Sequence, residues 1–127
     1  MEKISLYALY VESIVNRIRQ NLLDQKFVIM AEVPSTSLMF QEGYEIPFIH
    51  QIFFFSPELF NMMVNIDFDS VMNAPLKIVI SKDETSDLIE IRYASFQESF
   101  FEYTVLAPIF EQADERLKRV FSFKEKF

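Results

Sequence analysis

His50 is the single histidine of the chain, and cysteine is absent. An imidazole titrating near neutral pH can act as a lone general base or bind haem iron. A multi-histidine metal site is beyond one copy of this chain, and disulfides, zinc ribbons, iron–sulfur clusters and thiol nucleophiles are excluded. On an extended strand His50 shares a face with Phe48, Ile52 and Phe54, which favours a hydrogen-bonded structural histidine. Two pairs of acids also have suggestive spacing. Asp67 and Asp69 fall on one side of an extended segment, a beginning of a hard-cation site. No phosphate-binding glycine loop accompanies them, and the Asn73-Ala74-Pro75 turn follows, so they read as solvated loop acids. Glu98 and Glu102 stand at helical spacing and read as surface charges.

Softer side chains carry the remaining signal. Met62, Met63 and Met72 fit either core filling or an adaptable apolar pocket, and core filling is the default. The Phe53-Phe54-Phe55 run fits a ligand platform or plain core. The residues expected to line a ligand site are His50, Tyr44, Ser56 and Met62; no metal site and no cofactor is expected.

The 127 residues suit one domain, residues 1–127, with enough chain to bury a core without cross-links. Half the residues are apolar and 24% charged, which excludes intrinsic disorder. Nineteen acidic residues against twelve basic give a net charge of −7. Nucleic acid is therefore not expected as a partner, since phosphate binding draws on clustered Lys and Arg. The start, Met1-Glu2-Lys3, lacks the pattern of a signal peptide. The longest apolar stretch, Ile46 to Phe55, is interrupted by Pro47, His50 and Gln51 and falls short of the roughly 20 residues that span a bilayer. No transmembrane segment and a cytoplasmic location are expected, although absence of cysteine fits either redox compartment.

The elements that must hold these residues follow from periodicity. Ile4 to Tyr10 reads as a strand. Val11, Ile14, Val15, Ile18 and Leu22 form one apolar stripe of a helix. Lys26 to Val33 is β-branched and closes at Pro34. Ser35-Thr36-Ser37 starts a short helix that stops at Gly43, the sole glycine, in a left-handed cap. Phe48 to Phe55 is the most apolar strand, and Ser56-Pro57 supplies an N-cap with proline at the first helical position of a helix through Val64. Leu76 to Ser81 and Leu88 to Tyr93 alternate across a polar turn, an antiparallel hairpin expected at an edge or rim of the sheet. A last helix begins near Ala107 and buries Phe110, Ala113, Leu117, Val120 and Phe121, with Asp114/Lys118 and Glu115/Arg119 spaced as i, i+4 ion pairs. The order β-α-β-(α)-β-(α)-β-β-α predicts an α+β two-layer sandwich, a mainly antiparallel sheet with helices on one face.

Several segments in this order resemble the bacterial and archaeal domain-of-unknown-function 302 family: Asp24-Gln25-Lys26-Phe27-Val28, Gln41-Glu42-Gly43-Tyr44-Glu45-Ile46-Pro47, Phe54-Phe55-Ser56-Pro57, Asn61-Met62-Met63 and Asn73-Ala74-Pro75-Leu76-Lys77-Ile78-Val79-Ile80. The resemblance covers roughly residues 5 to 120. It departs where the family usually has Gly-Phe and this chain has Lys26-Phe27. It departs again where the family has Gly-Asn-Pro or Cys-Asn-Pro and this chain has Phe55-Ser56-Pro57. The resemblance implies a compact α/β fold and a homodimer, and no established activity.

One further feature distinguishes the chain. Strands with one wet face should alternate apolar and polar residues, yet Ile49, Phe53 and Phe55 oppose Phe48, Ile52 and Phe54, Tyr7 and Leu9 oppose Leu6 and Ala8, and Val28 and Met30 oppose Phe27 and Ile29. Apolar patches of that size call for a cover. The first expectation is accordingly a homodimeric binding or interaction module with a Phe/Met-rich surface, or a pocket for an apolar small molecule. The alternative is a small enzyme acting on an apolar metabolite, with His50 or a carboxylate such as Glu32 as general base. A third is a peripheral membrane or heteromeric partner using the tail Phe121-Ser122-Phe123-Lys124-Glu125-Lys126-Phe127, against which the negative net charge counts.

Overall fold

Strand β1 (Glu2–Tyr7) leads into helix α1 (Val11–Asp24), whose stripe Val11, Ile14, Val15, Ile18 and Leu22 is wholly buried. The computed structural model describes residues 1–123; Lys124 to Phe127, the end of the apolar tail, lie outside the described residues. The chain continues through β2 (Val28–Val33), α2 (Ser35–Gln41), β3 (Phe48–Phe55), α3 (Pro57–Ile66), a 3-10 turn at Phe68–Asn73, β4 (Leu76–Lys82), β5 (Leu88–Tyr93), α4 (Phe96–Ser99), a second 3-10 turn at Thr104–Leu106 and α5 (Ala107–Val120). All strand pairings are antiparallel, in the order β1-β5-β4-β3-β2.

Register decides what each face carries. Ile52, Ile78, Ile80, Ile89 and Ile91 line up across the central strands and are completely buried, in one cluster with the inward stripes of α1 and α5. The opposite face of β1, β5 and β4 is mainly polar, with Val79 and Tyr7 among its charged and hydroxyl side chains. There Lys3 Nζ meets Glu90 at 2.6 Å, and Arg92 reaches Glu90 and Ser81. The expectation of apolar side chains on both faces is thus corrected for β1, whose outer face carries Lys3 and Ser5, while the solvated face of the β4–β5 hairpin is the one its alternation predicts. The two-sided expectation holds around β2, where Val28 and Met30 are exposed. Phe55 is fully buried, turned at the end of its strand into Phe60, Phe96 and Phe100. The hairpin β4–β5 is not at the rim: β1 and β2 are the edges, because α1 carries the chain from one side of the sheet to the other before β2 begins. The first strand also ends earlier than its pattern suggests, leaving Leu9 and Tyr10 exposed ahead of α1.

The α1–β2 corner has a defined geometry. Lys26 has φ +64°, in the left-handed region; its N–H donates to Leu23 O at 3.0 Å, and the Phe27 N–H donates to Leu22 O at 2.9 Å. These two bonds make a Schellman motif, with apolar Leu22 and Phe27 at its two ends both buried in the core cluster. Glycine fills this position at least strain, which accounts for the Gly-Phe of the resembling sequences. Gly43, with φ +89°, ends the α2 segment as expected.

A second clasp joins α4 to α5. Asp114 is buried, and its carboxylate accepts from Phe96 N at 2.7 Å, Gln97 N at 3.1 Å and Gln97 Nε2 at 2.9 Å. This corrects the surface Asp114/Lys118 pair. Lys118 instead meets Glu115 at 3.2 Å. Ser95 and Glu98 complete a capping box on the same short helix, so Glu98 caps a helix rather than pairing with Glu102.

Two stability predictions follow from these corners. Lys26→Gly relieves a left-handed L-residue at about 1–2 kcal/mol but adds about 0.5–1 kcal/mol of unfolded-state freedom. The expected outcome is an unfolding free energy higher by roughly 0.5–1 kcal/mol, read as a raised urea midpoint with an unchanged m value. Asp114→Ala strands the buried Phe96 N–H and releases the partly buried Gln97 N–H, and is expected to cost about 2 kcal/mol in the same measurement.

Candidate functional site

Glu32 on β2 and His50 on β3 point to the helix side of the sheet, where Arg19 of α1 lies over them. His50 Nε2 is 2.7 Å from Glu32 Oε1, and Arg19 Nε donates to both Glu32 oxygens at 2.9 and 3.1 Å. Arg19 in turn is held by Asn16 Oδ1. His50 stacks on Phe48 with an interplanar angle of 18°, and its side chain is 12% exposed. The two residues singled out as general-base candidates are therefore direct partners. Partial burial pushes the Glu32 carboxyl up, and the hydrogen bonds from Arg19 and His50 more than offset it, leaving it below its ordinary value of 4.5. A carboxylate fixed by a guanidinium and an imidazole is a clamp between α1, β2 and β3. Neither Glu32 nor His50 lines the two grooves of about 480 and 460 Å³ that flank the start of α3.

Those grooves meet at Ser56. Its Oγ accepts from Leu59 N at 3.2 Å, the expected N-cap of α3 with Pro57 behind it. On one side lies a polar groove of about 480 Å³ between the α1–β2 corner, the start of α3 and α5; it takes in Lys26, Met62, Ile109, Arg116 and Arg119. On the other lies an apolar groove of about 460 Å³ bounded by Val28, Met30, Phe60 and Val64. Of the four expected ligand residues, Ser56 and Met62 come together at the polar groove. His50 belongs to the clamp. Tyr44 is exposed and borders a smaller hollow with Phe40 and Ile46.

The acids Asp67 and Asp69 do not form an extended pair. Asp67 ends α3 with its carbonyl accepting from Ser70, and Asp69 sits in the 3-10 turn that follows. Met63 fills the core while Met72 is exposed. Phe121 is buried and stacks on Tyr93 with centroids 4.3 Å apart, so the start of the tail packs against the fold. Arg116 and Arg119 were not anticipated; nothing local marks them, and their convergence with Lys26 depends on the corner after α1.

The family signature extends through nearly all of this architecture. The sequence model described as Domain of unknown function DUF302 matches residues 3–123. The chain belongs to the DUF302 family. The fold is similar to the crystal structure of an uncharacterized conserved DUF302 protein from Bacillus stearothermophilus, with a TM-score of 0.76 and 13% identity over 94% of this chain and 95% of that one. The shared element is the fold of this DUF302 chain, an antiparallel five-stranded sheet with helices. No curated protein matches the chain. No helix among the described residues is long and apolar enough to cross a membrane.

The clamp gives a pH prediction. Because Glu32 titrates below its unfolded value of 4.5, its contribution is complete above that value and is lost as the pH falls through the folded one. Glu32→Gln is expected to lower stability at pH 7 by about 1 kcal/mol. The gap to the wild-type chain closes on acidification, as read from urea midpoints between pH 7 and pH 3.

Proposed function

We propose that the chain is a homodimeric binding module that self-associates through the outer edge of β2 and the apolar groove beside it. The carrying observation is the asymmetry of the two sheet edges. Edge strand β1 presents Glu2, Lys3 and Ser5 ahead of the exposed Tyr7 at its end, and Lys3 is tied into the polar face by Glu90. Edge strand β2 has no strand partner on its outer side among the described residues, and it exposes Val28 and Met30 beside the groove bounded by Phe60 and Val64. Open backbone groups next to uncharged apolar side chains are the features that other chains pair with. Meeting a second copy about a twofold axis covers both at once.

A bulge between Ile29 and Ala31 leaves Met30 outside the β2–β3 ladder, so the proposed contact rests on its exposed side chain more than on an unbroken backbone edge. The enzymatic alternative rests on the short His50–Glu32 contact. The same carboxylate is also held by Arg19, and that arrangement favours a structural clamp.

Light scattering after size exclusion at micromolar concentration is expected to give twice the chain mass. Met30→Lys and Val64→Lys, each placing a charge in the patch without touching the core, are expected to give the single-chain mass with an unchanged circular dichroism spectrum. A wild-type monomer across that concentration range overturns the proposal.

A further inference from the structure

We propose that the polar groove between the α1–β2 corner, the start of α3 and α5 binds a small organic oxyanion, its phosphate or carboxylate head held by Lys26, Arg116 and Arg119 and its apolar body against Met62 and Ile109. Charge is the first argument. The groove gathers three basic side chains against two acidic ones, Asp24 and Glu58, in a chain whose net charge is −7. Asp24 is itself engaged by Gln20 Nε2 at 2.9 Å. A basic hollow attracts small anions locally, while the net negative charge of the surrounding protein disfavours large polyanions.

Preorganisation is the second. Arg116 lies over the Phe27 ring, with Cζ 4.8 Å from the centroid, and Nη1 donates to Gln25 O at 3.3 Å. These contacts fix the guanidinium plane without cancelling its charge, leaving donors for the forked geometry that suits carboxylate and phosphate. Arg119 stands one turn further along the same helix. Lys26 is brought to them by the left-handed corner, φ +64°, a conformation that costs an L-residue stability and that glycine would relieve. The start of α3 opens on the same groove, but Glu58 in its first turn already occupies that dipole; the cations carry the inference.

Shape is the third. The volume of about 480 Å³ matches a single small ligand, and Met62 and Ile109 are only partly buried on its wall, available to an aliphatic or aromatic body.

The test uses the full chain and isothermal titration calorimetry at constant ionic strength, with inorganic phosphate, phenyl phosphate and benzoate as probes. Saturable binding is expected, with phenyl phosphate tighter than inorganic phosphate because its ring buries apolar surface. Benzoate binding at comparable strength assigns a carboxylate head, and its failure assigns a phosphate. Arg119→Gln and Lys26→Gly are each expected to weaken binding about tenfold, the loss of one charge-assisted contact. Lys26→Gly is the sharper of the two, because the fold becomes more stable while affinity falls. No saturable binding of any probe overturns the proposal. So does binding that both variants leave intact. Neither result depends on whether the chain is a dimer.

Discussion

Six phenylalanine rings hold the two layers together. Phe27 meets Phe54 edge-on at 5.4 Å and stacks on Phe96 at 5.9 Å, while Phe96, Phe100 and Phe110 stack in series, the last two with centroids 4.6 Å apart. Phe55 joins them through Phe96 and Phe100. These rings come from the α1–β2 corner, the end of β3, the α4 region and α5, and all are fully buried. Each pair adds modestly beyond area burial, but together they leave little freedom for the segments that carry them. The polar corners serve this cluster. The Schellman motif places Phe27, the Asp114 carboxylate holds Phe96 by its own N–H, and the Asn21 side chain ties α1 to the Val120 carbonyl at the far end of α5.

The same arrangement explains why a cationic groove forms where it does. Arg116 covers Phe27, whose ring also meets Phe54 of β3 and Phe96 of α4, and it lines the same groove as the start of α3. Lys26 precedes Phe27, so the residue that sits left-handed also lines the groove. Core packing and surface chemistry share a corner. The ion cluster Arg19–Glu32–His50 occupies the other end of the helix face and satisfies an imidazole that the register of β3 turns inward beside Ile80.

Much of the architecture was legible in the sequence. The stripe of α1, the hairpin Leu76–Ser81 with Leu88–Tyr93, the Ser56-Pro57 helix start and the run from Ala107 all follow from periodicity and capping chemistry. The misread parts depended on distant partners. Asp114 looks like any exposed helical acid until Phe96 and Gln97 bring their amides to it, and α4 has four residues, too few for a periodic signal. The hairpin's polar face suggested a rim, yet its place in the middle of the sheet is set by which strands flank it. For the site, Ser56 and Met62 were read from local chemistry, whereas Arg116 and Arg119 have no local mark. Lys26 carried the one visible clue, a bulky residue where its resemblance places glycine.

Strand order also sets the sequence of events during synthesis. β1 is hydrogen-bonded to β5 alone, with Glu2 opposite Tyr93. At ribosomal rates of about 5–20 residues per second, roughly 5 to 20 seconds separate emergence of the two strands. The chain's opening segment therefore spends that interval without its ladder partner, and its polar Glu2, Lys3 and Ser5 suit a nascent strand that must wait in water.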